Sequence, residues 1–169
     1  MPQKSLLLVD DEPLIRESLA RELAGATLAV TVAASGEEAV ARLGREWFDV
    51  VVSDLVMPGL DGFQVLKAAK SRDRAIAVIL LTGFGDMDTA IDALRLGADD
   101  FLRKPCEVDE LCWRIGNCLK KQELQRKVAF YERVLPVCSY CGKIRHDRPG
   151  EHGRGPWYEL EEYLRRAKG

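Results

Sequence analysis

No stretch of this chain approaches the roughly 20 consecutive apolar residues that a membrane-spanning helix needs. The N-terminus, Met1-Pro2-Gln3-Lys4, leads almost at once into Leu6-Leu7-Leu8-Val9. It has none of the charged region, apolar core and cleavage site of a signal peptide. A cytoplasmic location is therefore expected. Cysteine occurs five times, an odd number confined to the second half. In a reducing compartment that reads as free thiols or metal ligands, not as a disulfide framework. Internal repeats and low-complexity tracts are also lacking. Neither sign of charge dominates, since the formal net charge is −2. The balance is uneven, however. Residues 1–119 carry 13 basic and 20 acidic residues, and residues 120–169 carry 12 basic and 7 acidic. An acidic body with a basic tail does not fit a dedicated DNA-binding domain, which is usually basic throughout.

What is present is enough apolar residue (47%) for a real core. The length of 169 residues suits one domain with an appendage. Short apolar runs alternate with stretches of helical period. Strands are read at 4–9, 29–33, 50–53, 77–82 and 100–103, and helices at 13–24, 36–44, 61–71, 87–96 and from near 107. The strands are mostly apolar throughout, as expected when helices cover both faces of a parallel sheet. Pro13 suits the first turn of a helix. Ser35 and Glu38 have capping-box spacing, and Gly97 fits a helix stop. Five βα units of this kind predict a doubly wound α/β domain ending near residue 122.

Four of the runs end in a polar or charged group. Leu6-Leu7-Leu8-Val9 delivers Asp10 and Asp11, and Asp49-Val50-Val51-Val52-Ser53 delivers Asp54. Val78-Ile79-Leu80-Leu81 delivers Thr82, and Asp100-Phe101-Leu102-Arg103 delivers Lys104. In an open parallel sheet these ends share one edge, where ligands bind. Three acids, a hydroxyl and an amine then converge, and the three carboxylates must repel one another.

These residues, with Met57-Pro58-Gly59 behind Asp54, Gly83 after Thr82, Phe101 three residues before Lys104, and Pro105 after it, resemble the receiver domain of bacterial two-component response regulators (the CheY-like superfamily). The resemblance covers roughly residues 4–122. It implies a five-stranded parallel sheet of flavodoxin-like order 2-1-3-4-5, with Asp54 accepting a phosphoryl group from a sensor histidine kinase or phosphotransfer protein. It also implies Mg²⁺ or another divalent cation held by Asp10, Asp11, Asp54 and the carbonyl of Val56. Lys104 and Thr82 would contact phosphoryl oxygens, Thr82 and Phe101 would form the switch, and Lys104-Pro105 would be cis. Val56 and Phe84 are apolar where polar groups assist hydrolysis in the family, so self-dephosphorylation is expected to be slow. A rival reading is an aspartate-nucleophile phosphatase of the haloacid-dehalogenase type, but that chemistry wants an acid at position 56.

Beyond the receiver, residues 123–135 read as a helical linker. Leu124, Val128, Tyr131 and Leu135 form a narrow apolar stripe on it. The stripe either folds back on its own domain or makes a short coiled coil and a homodimer. Pro136 ends it. Residues 136–169 form a tail with Cys138-Ser139-Tyr140-Cys141 and a helix predicted over Trp157–Arg166. The tail resembles one found in some bacterial signalling proteins, in which a second cysteine pair follows the aromatic helix. The Cys138/Cys141 spacing supplies half a tetrahedral zinc site. His146 and His152 could complete it, or the two are ordinary thiols in a mobile tail. A zinc-dependent interaction module is the third reading of function. The tail holds no recognisable DNA-binding or catalytic output domain.

Overall fold

The computed structural model describes residues 3–83, 87–134, 137–146 and 155–167. Among them, β1 (Lys4–Val9), β2 (Leu28–Ala33), β3 (Val50–Asp54), β4 (Ala77–Thr82) and β5 (Asp100–Arg103) form one parallel sheet in the order β2-β1-β3-β4-β5. The helices between them are α1 (Pro13–Leu23), α2 (Gly36–Arg45), α3 (Gly62–Arg72) and α4 (Met87–Arg95), and α5 (Val108–Val134) follows β5.

Strand periodicity separates two cores. Leu7, Val9, Val51, Val78 and Leu80 face one side, where Leu43 of α2 and Val65, Leu66 and Ala69 of α3 pack on them. Leu6, Leu8, Val50, Val52 and Ile79 face the other, against Leu19 and Leu23 of α1 and Leu111, Ile115 and Cys118 of α5. Alternate side chains point to opposite faces, so uninterrupted apolar strands feed both layers.

Local signals fix the helix ends. Pro13 opens α1. Ser35 Oγ accepts the Glu38 N–H at 3.2 Å, but the Glu38 carboxylate reaches one residue further back than the capping-box pattern, to the Ala34 N–H at 2.9 Å. A full capping box lies at Asp61 and Gln64 of α3. Gly97, with φ 97°, follows α4 in the left-handed region, where glycine carries no Cβ penalty.

The chain divides into two compact units, Met1–Gln122 and Glu123–Gly169. Leu124 and Val128, on the part of α5 that belongs to the second unit, are exposed. Leu135 and the side chain of Tyr131 lie outside the described residues. In the second unit β6 (Ile144–Arg145) and β7 (Trp157–Tyr158) pair antiparallel, and α6 spans Leu160–Ala167. The helix expected from Trp157 therefore starts later. Trp157 and Tyr158 are aromatic residues suited to a strand, and they pair with Arg145 and Ile144.

Candidate functional site

Each strand tip delivers its group to one edge of the sheet. Asp10 follows β1 and is fully buried, while Asp54 closes β3 and Thr82 closes β4, both nearly buried. One carboxylate oxygen each from Asp10, Asp11 and Asp54 lie within 4.8 Å of one another. Lys104, just past β5, lies between two of them. Its Nζ donates to Asp10 Oδ2 and to Asp54 Oδ2, each at 2.7 Å. The repulsion expected among the carboxylates is thus offset by a cation from the far edge of the sheet.

Burial acts to lower the Lys104 pKa, but the hydrogen bonds and charges of Asp10 and Asp54 outweigh it, so the ammonium titrates above the ordinary lysine value. The remaining carboxylate oxygens are held by backbone. The Glu12 N–H donates to Asp10 Oδ1 at 2.9 Å, and the Val56 N–H to Asp54 Oδ1 at 3.3 Å. Val56 itself is exposed. Lys104-Pro105 is cis. The Lys104 N–H donates to the Thr82 carbonyl at 2.7 Å, which joins two of the site residues through the main chain.

Three supports carried no clear sequence signal. Arg16 Nη1 donates to the Asp10 carbonyl at 2.7 Å, and Ser53 Oγ to the Asp54 carbonyl at 2.9 Å. Gly62 opens α3 directly against the Asp54 carbonyl. The Asp61-Gly62 pair marks a turn, but only the fold shows which backbone it must approach.

An all-oxygen donor set of three clustered carboxylates suits a hard divalent cation such as Mg²⁺, so the residues fit the ion expected here. Beside the site runs a cleft of about 580 Å³, lined in part by Glu12, Ile15, Leu19, Gly83, Lys104 and Cys106. Phe101 is half-buried on β5, and Phe84 lies outside the described residues.

The tail cysteines occupy a hydrogen-bonded turn. The Cys138 N–H donates to the Lys143 carbonyl, and the Gly142 N–H to the Cys138 carbonyl, each at 2.8 Å. Gly142 has φ 70°. Backbone N–H groups of Cys141 and Tyr140, and then the Cys141 thiol, hold the Cys138 thiol below the usual range. Among the described residues Asp10, Asp11 and Asp54 are the one gathered set of potential metal ligands, and His146 is not gathered with Cys138 and Cys141. The His146 ring packs edge-on against Tyr163 and Tyr158, at 5.5 and 6.4 Å. His152 lies outside the described residues.

A doubly wound sheet with three acids and a lysine at its carboxyl edge defines a class of phosphoryl-accepting α/β domain. Residues 6–116 match the model of the response regulator receiver domain, and the chain belongs to that family. It is 44% identical over 136 residues to the DNA-binding transcriptional regulator NtrC of Salmonella typhimurium, covering 80% of this chain and 29% of the relative. It is 36% identical over 118 residues to the transcriptional regulatory protein FixJ of Bradyrhizobium diazoefficiens, covering 70% and 58%. Among solved structures, a receiver domain protein from Clostridium thermocellum superposes with TM-score 0.68 at 34% identity, covering 72% of this chain and 98% of that one. NtrX from Brucella abortus gives TM-score 0.71 at 30% identity, covering 76% and 30%. The chain thus spans less than a third of the length of the NtrC relative. No described helix is long and apolar enough to cross a membrane.

Proposed function

We propose that Asp54 is the phosphoacceptor of a two-component phosphorelay. It would receive its phosphoryl group from a phosphohistidine on a sensor histidine kinase or phosphotransfer protein. The observation that carries this is the double hydrogen bond of Lys104 to Asp10 and Asp54 beside Asp11. It joins a nucleophile, a cation for the incoming charge and a set of metal-binding oxygens at the mouth of a cleft. A carboxylate oxygen of Asp54 attacks phosphorus, the P–N bond breaks, and the imidazole leaves with its electron pair and takes a proton. When bound by Asp10, Asp11, Asp54 and the Val56 carbonyl, a divalent cation supplies neutralisation of the anionic charge. Lys104 moves from its carboxylate partners to a phosphoryl oxygen. Thr82 donates its hydroxyl to another, with Gly83 leaving room.

The switch follows from the same contacts. Thr82 drawn toward the phosphoryl group vacates space into which Phe101 turns, and the surface around α4, β5 and α5 changes. Residues 1–122 act as the receiver, 123–135 as a helical linker and 136–169 as a cysteine-bearing tail. The chain works in the cytoplasm as a phosphoacceptor with slow self-dephosphorylation, for which the apolar Val56 is the support. Val56 also argues against the phosphatase reading, which needs an acid at that position.

The test is incubation with acetyl phosphate or phosphoramidate and Mg²⁺, followed by intact mass. A single phosphoryl adduct in the wild type and none in Asp54→Ala is expected. An unchanged mass in a folded, Mg²⁺-binding chain overturns the proposal.

A further inference from the structure

Arg16 reaches from α1 back to the tip of β1. It closes the first turn of the helix, where its own N–H donates to the Glu12 carbonyl at 3.0 Å. Side chains on a helix lean toward its N-terminus, so Arg16 is aimed at the segment that joins β1 to α1. Its Nη1 donates to the Asp10 carbonyl at 2.7 Å. The start of a helix is its positive end and ordinarily disfavours a cation. Acids on two elements offset that cost. Asp10 and Asp11 precede the helix, and Glu38 lies on α2. The Ala34 N–H first, then Arg42 and the charge of Arg16, hold the Glu38 carboxyl below its usual range.

With that bond, every polar group of Asp10 has a partner. Its N–H donates to the Ala33 carbonyl at 3.2 Å, its Oδ1 accepts the Glu12 N–H at 2.9 Å, and its Oδ2 accepts Lys104 Nζ at 2.7 Å. The carbonyl that Arg16 holds belongs to the peptide linking Asp10 to Asp11. A peptide is planar, so fixing its oxygen fixes the direction in which the chain enters Asp11. We propose that Arg16 is a positioning residue for the acidic site. By gripping the Asp10 carbonyl it sets the spacing of the Asp10 and Asp11 carboxylates, two of the three that gather within 4.8 Å. The role rests on reading those carboxylates, with Asp54, as the seat of a divalent cation.

Two effects of Arg16 on that cation oppose each other. Its positive charge repels the ion, whereas its hydrogen bond orients the ligands, as partners behind metal ligands commonly do. The sign of a neutral substitution therefore tells them apart. Loss of charge alone tightens cation binding, and loss of positioning weakens it. A side chain that served only to stabilise the fold would alter melting and leave cation affinity as it was.

The test titrates the full chain with Mn²⁺, which takes the same oxygen donors as Mg²⁺, and reads the free ion by electron paramagnetic resonance. Arg16→Met and Arg16→Gln are both neutral, and neither reaches the carbonyl as arginine does. Each is expected to bind Mn²⁺ about 10-fold more weakly than wild type, or weaker still. Circular dichroism shows that the variant is folded, and if one of the two fails to fold the other decides. Arg42→Met is the control. It removes a cation that also pairs with Glu38, at 2.9 Å, without touching Asp10, and wild-type affinity is expected. Unchanged or tighter Mn²⁺ binding in a folded Arg16 variant overturns the proposal, as does an equal loss in Arg42→Met. A folded wild type that binds no Mn²⁺ strikes the cation reading itself and this role with it. Normal binding by wild type and by the Arg16 variants alike strikes this role alone.

Discussion

Gly62 lies so close to the backbone carbonyl of Asp54 that a Cβ at position 62 would overlap its oxygen, and Leu55 Cα stands 2.8 Å from the same point. The first turn of α3 thus rests directly on the tip of β3, and the N–H of Gly62 donates to the Leu55 carbonyl at 2.9 Å. Neither backbone segment can yield cheaply.

Gly62→Ala is therefore expected to destabilise the chain by about 1–3 kcal/mol, as overpacking does, and to slow phosphoryl acceptance by shifting Asp54. Gly116, mid-helix in α5 with nothing near its Cβ position, is the contrasting case. Gly116→Ala should stabilise by about 0.5–1 kcal/mol. Denaturant midpoints of the two variants check both signs.

Lys104→Met removes the cation shared by Asp10 and Asp54. The fully buried Asp10 carboxylate is then left facing other acids. A loss of about 2 kcal/mol is expected, the scale of a hydrogen bond to a charged group. Mg²⁺ should restore more stability to this variant than to wild type, because an ion can replace the lost positive charge. Thermal melts with and without Mg²⁺ measure this. Equal shifts in both proteins would contradict it.

Gln122 is buried near the unit boundary and donates to the carbonyls of Asp49, at 2.9 Å, and Ala75, at 2.6 Å. One side chain thereby ties α5 to the segments that start β3 and β4. Gln122→Leu leaves those carbonyls without this donor, and a loss of about 1–3 kcal/mol is expected, read from urea denaturation.

The cysteines should react in a defined order. Burial pushes the Cys118 thiol up to about 11, with Asp99 and Asp100 adding to it. Burial also raises Cys106 and Cys112, whereas backbone N–H groups lower Cys138. In the zinc-free reduced chain at neutral pH, iodoacetamide should label Cys138 first and Cys118 last, as peptide mass mapping will show. The raised Cys118 value also links to stability. The folded chain keeps that proton where the unfolded thiol, titrating near 9.0, loses it. The contribution is complete below about pH 9 and is lost as pH rises toward about 11. Cys118→Ala should flatten the alkaline decline in that window.

Much of this was legible in the sequence. Apolar runs that end abruptly in Asp10, Asp54, Thr82 and Lys104 expose both the strands and the sheet edge they share. Hydrophobic burial is a local pattern, so it can be read along the chain. Contacts between distant segments are not. Nothing beside Gln122 signals two carbonyls more than forty residues away in sequence. Nothing beside Lys104 says that it bridges Asp10 and Asp54. Trp157 and Tyr158 read as the start of a helix because Leu160–Ala167 is strongly amphipathic, yet pairing with Ile144 and Arg145 extends them as a strand. Tertiary partners outweigh local preference in so short a segment.

Asp54, and no neighbouring acid, is the residue expected to take the phosphoryl group. Borohydride reduces an aspartyl phosphate to homoserine, which marks the acceptor permanently. The chain should be phosphorylated with acetyl phosphate and Mg²⁺, reduced and mapped by peptide sequencing. Homoserine is expected at position 54 and nowhere else. Homoserine at position 10 or 11, or a phosphorylated chain that resists reduction, would contradict it.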